Sequence, residues 1–401
     1  MPNKQVAIIG AGPAGLACAE MLSELGHYDI TVYEQKPSAA RKFLMAGKTG
    51  LNISHAEDLE IFIARYDHAD WLRPMIQQFS ALQIQAWMHG LGIESYIGSS
   101  GRIFPNEMKA APLLRAWLKR LQDRGVKFRY RHQVVNVKDD QLTVLDMVQQ
   151  QGHTLKVDAI VLACGALSWP QLGSDGKWQS WLDASVMQPF QPSNVGVLVN
   201  WSDYLQAIFG QPLKRIQAWV QGKVPQFGEM VISHYGLEGG LAYRCNRDLR
   251  EAMQNQNSTV LYLDLLPDQR VEQILQKLQQ GKKQSLNTLW QKIGLDKTKI
   301  ALVRDVVDKA EWNDAKKMAQ HIKQLAINIH GFRPIEEAIS CAGGISLNAL
   351  DQHLKLKHTS AIFACGEMLD WDAPTGGYLL TACLATGRIT AHGVHAQLNA
   401  D

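Results

Sequence analysis

Val6-Ala7-Ile8-Ile9 is a short, unbroken apolar run, the pattern of a strand buried on both faces of a parallel sheet. It leads into Gly10-Ala11-Gly12-Pro13-Ala14-Gly15, after which Leu16, Met21, Leu22 and Leu25 recur at helical spacing. Asp29-Ile30-Thr31-Val32-Tyr33 reads as a second strand ending at Glu34. Later runs of the same kind lie over 126–130, continuing into 132–134, over 157–166 and over 360–367. Strands alternating with helical pattern in this way predict an α/β fold, Rossmann-like, around a parallel sheet.

Between about residues 190 and 340 the pattern changes. Segments 194–199, 216–220, 228–232 and 260–264 alternate or read as strands. Val271, Ile274, Leu275 and Leu278 then fall on one helical face, and helical pattern continues through 286–293 and 300–307. Asn313 or Asp314 is placed to cap a last helix in this region, with Met318, Ile322 and Leu325 on one side. Gly236-Leu237-Glu238-Gly239-Gly240 has the wrong spacing for a second GxGxxG turn, so no dedicated nicotinamide domain is expected here.

The first glycine turn carries the chemistry. Gly10 permits the tight turn, Gly12 lets the backbone approach a pyrophosphate, and Gly15 lets the helix pack closely on the strand. The helix's first amides, behind Pro13 and Ala14, point at the phosphates, where the helix dipole favours negative charge. Glu34, with Gln35 beside it, ends the second strand where a carboxylate accepts from ribose hydroxyls. A 2′-phosphate would be repelled there, which disfavours NADP in this site.

Three further segments favour FAD over NAD. Residues 38–52 form a small-residue, basic loop whose Arg41, Lys42 and Lys48 suit phosphates and a long cofactor's polar edge. The strand over 157–166 ends at Ala163-Cys164-Gly165 and, with Val134, is expected beside the adenosine half. The third strand ends at Gly366-Glu367, a pair suited to the ribityl chain and pyrophosphate. Asp370, Gly376, Gly377, Tyr378 and Leu379 then lead into a helix whose N-terminus is expected at the flavin's N1/C2 edge. Trp169 and Trp371 are expected to cover the isoalloxazine.

Arg41-Lys42-Phe43-Leu44-Met45-Ala46-Gly47-Lys48-Thr49-Gly50-Leu51-Asn52 resembles the RKFLMAGKGGLN signature of the bacterial BaiN/YhiN-like NAD(P)/FAD-dependent oxidoreductases. Cys341-Ala342-Gly343-Gly344-Ile345 and the run from Gly366-Glu367 to Gly376-Gly377-Tyr378 resemble two more of its signatures. The resemblance implies an FAD domain over 1–190 and 341–401. It also implies an inserted β-barrel-like domain over 191–265 and 327–340, carrying a helical subdomain over 266–326. Gly47 and Asn52 join the implied cofactor-binding set. The branch with the bile-acid enone reductase has GGGRCN in place of residues 47–52, so its substrate does not carry over.

Composition narrows the partners. The 401-residue chain is 46% apolar and 20% charged, with a net charge of +3, which is globular and too weakly basic to argue for nucleic acid or an anionic membrane. Lys282-Lys283 and Lys316-Lys317 read as solvated faces. The six cysteines have no CxxC or metal spacing and read as reduced thiols of a cytoplasmic protein. No stretch reaches the ~18 apolar residues of a membrane span. Nothing in the sequence fixes an oligomeric state.

These readings predict hydride transfer through flavin N5 to a conjugated small-molecule acceptor, with NADPH or NADH as transient donor. His234, Tyr235 and Tyr378 are the candidate proton donors. Two other classes compete: an FAD-dependent RNA-modifying protein, and a flavin-binding redox sensor without turnover.

Overall fold

The computed structural model describes residues 3–48, 50–281 and 284–400. The chain divides into two compact units, Met1–Gln191 with Ser340–Asp401, and Pro192–Ile339.

In the first unit the opening apolar run forms β1 (Lys4–Ile9), the glycine turn leads into α1 (Pro13–Leu25), and β2 (Tyr28–Glu34) follows. β1 pairs in parallel with β2, Ile8 opposite Val32, and on its other side with Ala159–Leu162. That strand pairs in parallel with Ile362–Ala364, while Lys127–Tyr130 extends the sheet beyond β2. The five strands therefore run in the order 362–364, 159–162, 4–9, 28–34, 127–130. Ala159, Ile160, Val161 and Leu162 are all fully buried, as expected of a central parallel strand covered on both faces.

The helix Tyr378–Leu398 packs against α1. Gly387 permits the close approach, because a Cβ there would stand 2.2 Å from the Ala14 carbonyl oxygen. On another side of α1, buried Glu20 accepts hydrogen bonds from the Trp87 and Trp117 indoles, each at 2.9 Å, and from Arg120 at 2.9 Å. This carboxylate ties α1 to the helices Ala81–Gly90 and Ala110–Asp123.

The expected continuation of the strand over 126–130 into 132–134 does not occur. Arg131 adopts a φ of +57°, a left-handed turn that ends the parallel pairing. His132–Lys138 instead joins Gln141–Asp146 and Gln151–Lys156 in a three-stranded antiparallel sheet.

The second unit holds a seven-stranded sheet in which every pairing is antiparallel. Leu325–Ile329 pairs with Thr259–Asp264 at one end, and Gly331–Phe332, directly after it, pairs with Val197–Leu198 at the other. One continuous segment thus joins both ends of the sheet and curls it into a barrel-like ring. Helices Val271–Gln280, Leu286–Ile293, Lys297–Val306 and Ala315–Lys323 belong to the same unit. Of the two candidate caps it is Asp314 that serves, its carboxylate accepting from the Lys316 and Lys317 amides at 2.9 and 3.1 Å. Lys317 also pairs with Glu311, while the expected solvated pair Lys282-Lys283 lies outside the described residues. Among the described residues, no helix is long and apolar enough to cross a membrane.

Candidate functional site

The carboxyl ends of β1, β2, Ala159–Leu162 and Ile362–Ala364 open into one cleft, lined entirely by the first unit. An open parallel sheet binds its ligands at this end. The three glycines of the turn serve different needs. A Cβ on Gly10, whose φ is +105°, would stand 2.3 Å from the Ala163 carbonyl oxygen, and one on Gly15 would stand 2.1 Å from that of Gly10. Both are required for the chain to pack on itself. A Cβ on Gly12 would meet nothing within 4 Å. Its missing side chain leaves clear space in front of α1, whose first intrahelical bond runs from the Leu16 amide to the Gly12 carbonyl. The amides of Ala14 and Gly15 precede that bond, and Pro13 has none to satisfy.

Glu34 forms the neighbouring wall. Its carboxylate accepts from the Ala11 amide at 3.0 Å and the Lys36 amide at 2.8 Å. Burial pushes its pKa up, opposed by those two amides and by the nearby Lys36 and Arg41 charges. Gln35 donates to the Gly173 carbonyl at 2.9 Å. Arg41 also lines the cleft, and its Nε is buried with no hydrogen-bond partner.

Residues far apart in sequence meet at Lys42. Its Nζ donates to Glu367 Oε2 at 2.6 Å and to Ser168 Oγ, while Glu367 Oε1 accepts from the Cys341 amide at 3.2 Å. Glu367 is buried. Gly366, with a φ of +82°, brings this segment against α1, since a Cβ there would stand 2.7 Å from Ala14 Cβ. The cleft thus gathers Gly10, Gly12, Pro13, Ala14, Glu34, Gln35, Arg41, Lys42, Val134, Ala163, Cys164, Gly165, Gly366 and Glu367.

The other predicted cofactor residues lie off the lining. Gly15 is packed beneath Gly10, Gly47 packs on Ala110, and Lys48 is exposed. Trp169 is half-buried with a φ of +57°, Leu379 is half-buried, and burial pushes the Asp370 carboxyl up. Asn52 lies next to Gly376, and its Oδ1 is buried without a partner. Trp371 departs from expectation: it is fully buried, donates to the Gly366 carbonyl at 3.1 Å and packs edge-on to Tyr66. It is a core residue and cannot cover a flavin face.

The proton-donor candidates are differently occupied. Tyr378 donates its hydroxyl to Glu57 and packs between His55 and Phe62. Burial, then the Glu57 charge, pushes its pKa well above the ordinary tyrosine range. In the second unit Tyr235 donates to Glu238, and burial and that carboxylate push it up likewise. The Arg333 guanidinium stands 4.7 Å over the Tyr235 ring, and His234 is exposed at its edge.

Sequence reasoning missed several lining residues, among them His132, Ser174, Asp175 and Trp178. Gly165, Gly173 and Gly176 all have positive φ, and their close spacing was the available signal of a loop folding over the cleft. Trp178 fastens that loop by donating to the Gly165 carbonyl at 2.9 Å. Cys164, Cys365 and Cys383 also face the cleft, with thiols pushed up by burial. All six cysteines are free.

FAD fits these residues. The space in front of Gly12 accepts a pyrophosphate, the unpartnered Arg41 Nε lacks an acceptor that a phosphate supplies, and Glu34 stands one strand away. Residues 4–393 match the family model described as the HI0933-like protein Rossmann domain. The chain belongs to that family. It is an FAD-dependent oxidoreductase.

Among the relatives, the 3-dehydro-bile acid delta(4,6)-reductase of Clostridium scindens is 22% identical, over 96% of this chain and 97% of the relative. The ribosomal RNA dihydrouridine synthase of Haemophilus influenzae is 25% identical, over 92% of this chain and 93% of its own length. In fold the chain is similar to a flavocytochrome c3 fumarate reductase, with a TM-score of 0.53 and 13% identity over 99% of this chain and 79% of that one. It is also similar to the 3-ketosteroid delta1-dehydrogenase of Sterolibacterium denitrificans, with a TM-score of 0.52 and 10% identity over 99% of this chain and 100% of that one.

Proposed function

We propose that the protein saturates a carbon–carbon double bond conjugated with a carbonyl in a small-molecule acceptor, with NADPH or NADH as transient electron donor. One observation carries this reading. The two relatives, each matched over nine-tenths of its length, are named for different acceptors, yet both names describe saturating such a bond. A delta(4,6) 3-oxo system and the uracil C5–C6 bond each lie in conjugation with a carbonyl.

In this reading the chain holds and orients the cofactor. The Ala14 and Gly15 amides and Arg41 hold the pyrophosphate, Glu34 accepts from the adenosine ribose, and the Lys42–Glu367 pair anchors the ribityl chain. Bound FAD supplies hydride transfer from N5. Tyr235 and Tyr378 both give their hydroxyl protons to carboxylates, so we assign the proton that completes the reduction to water. Among its described residues the second unit has an antiparallel sheet and no second dinucleotide fold, which fits a nicotinamide that binds only transiently.

Anaerobic titration of the purified yellow protein with NADPH, then NADH, tests the donor. We expect stoichiometric bleaching of the flavin bands, and recovery of the colour when an enone acceptor is added. Persistent colour with both nucleotides defeats the nicotinamide part.

The Haemophilus relative favours a second reading, in which the acceptor is a uridine of ribosomal RNA. Mass spectrometry of ribosomal RNA from cells lacking the gene decides it. A uridine-sized fragment two mass units lighter than in the parent strain supports RNA, and an unchanged digest supports the small-molecule acceptor.

A further inference from the structure

Residues 169–177 run between two buried anchors. On one side Ser168, fully buried, accepts a hydrogen bond from Lys42. On the other, Trp178 is buried and donates to the Gly165 carbonyl at 2.9 Å. Between them none of residues 169–175 is buried, and the regular structure they form is one 3₁₀ turn, Pro170–Leu172. Just inside each anchor the backbone turns left-handed, at Trp169 with a φ of +57° and at Gly176 with a φ of +68°. Among the described residues, the hydrogen bonds of this stretch run within 169–181 with one exception. That exception is the Gln35 side-chain amide, which donates to the Gly173 carbonyl at 2.9 Å.

The segment also has a definite place in the cleft. It follows the end of Ala159–Leu162 and reaches the residue just past the end of β2, and β1 with its glycine turn lies between those two strands. Leu172, Gly173, Ser174 and Asp175 all line the cleft. The Cβ position of Gly173 falls 3.9 Å from Glu34 Oε1, so a ribose held by Glu34 meets this segment. A surface stretch with few buried side chains and one outside hydrogen bond opens far more readily than the sheet beside it. We propose that Gln35 is a positioning residue that latches residues 169–177 as a strap over the adenosine end of the cleft, and that FAD enters and leaves through the opened strap. This rests on the flavoprotein assignment and adds how the cofactor is exchanged. Trp169 and Gly176 are placed to act as the hinges, since each stands next to a fixed anchor. Gln35, expected from the sequence to contact the cofactor, acts instead through Gly173.

The experiment measures FAD exchange on the full-length protein and on Gln35→Ala. Stopped-flow flavin fluorescence follows association with the apoprotein, and trapping of released FAD by a competing apoflavoprotein follows dissociation. In the native protein the association rate should level off as FAD concentration rises, at the rate of strap opening. In Gln35→Ala that ceiling and the dissociation rate should both rise roughly ten-fold, the scale of one hydrogen bond, with the dissociation constant nearly unchanged. Faster release under an unchanged ceiling would make Gln35 a direct cofactor contact and overturns the proposal, as does no change in either rate. If Gln35→Ala fails to fold, the native protein decides. A ceiling agrees with the strap, and an association rate that climbs in proportion to FAD concentration throughout refutes it. Failure of the native protein to bind FAD at all would instead strike the flavoprotein assignment.

Discussion

Gly12 and Gly15 have the same side chain for opposite reasons. Gly12 faces open space and Gly15 faces the chain's own carbonyl. Gly12→Val should leave the apoprotein's melting temperature nearly unchanged while raising the FAD dissociation constant roughly a hundred-fold, the scale of losing one or two charge-assisted hydrogen bonds. Gly15→Ala should act the other way round, with the apoprotein's stability lowered by about 1–3 kcal/mol of overpacking. Calorimetry of the apoproteins and flavin titration separate the two. Glu34 adds a pH signature. Its folded pKa is raised by burial, so the apoprotein holds a proton that the unfolded chain releases, and this contribution to apo stability fades as pH rises through the window. Ribose hydroxyls favour the ionised form. FAD affinity should therefore climb as pH rises through a window above the ordinary glutamate value of about 4.3, and then level off. In Glu34→Gln that climb should be absent, and affinity measured across pH checks it.

At the scale of elements, the contact between α1 and the last helix fixes the cleft. Gly387 sits where a Cβ would stand 2.2 Å from the Ala14 carbonyl, and Ala14 lines the cleft from the other side. Gly387→Leu should push the helices apart and weaken both stability, by about 1–3 kcal/mol, and FAD binding, although residue 387 touches no cofactor. Thermal melts with and without FAD would show both losses. The β1–turn–α1–β2 unit was legible in sequence because its signals are local: an apolar run, glycines at fixed offsets, an acid at the strand end. The helices between β2 and Lys127–Tyr130 were not read, since 53–125 carries few caps or strand patterns to anchor a periodicity. Ser80, whose capping box with Gln83 starts Ala81–Gly90, was one available signal. Trp371 went wrong for a different reason. An indole near a glycine motif has the same sequence signature whether it stacks on a ligand or fills the core, and only packing decides.

At the scale of the molecule, every residue lining the cleft belongs to the first unit, which the chain builds from two separate stretches. The ends left by the insertion lie side by side, because Gly343, with a φ of +88°, packs its Cα against the Pro189 carbonyl. Excising 192–339 and joining Gln191 to Ser340 through a short glycine-rich turn should therefore leave a monomeric yellow protein. Size-exclusion chromatography with absorbance at flavin wavelengths tests this. A colourless or aggregated product would show that the first unit needs the insertion to fold.

The strand order has a consequence for how the protein is made. Ala159–Leu162 is central in the finished sheet, yet its neighbour Ile362–Ala364 leaves the ribosome some two hundred residues later. At about 5–20 residues per second that is a wait of roughly ten to forty seconds. Throughout it the nascent chain carries a bare, wholly apolar strand edge, the kind that pairs with strangers. The second unit, contiguous in sequence, is completed during this interval. The cofactor cleft, which takes Gly366 and Glu367 into its lining, is therefore complete only after this interval.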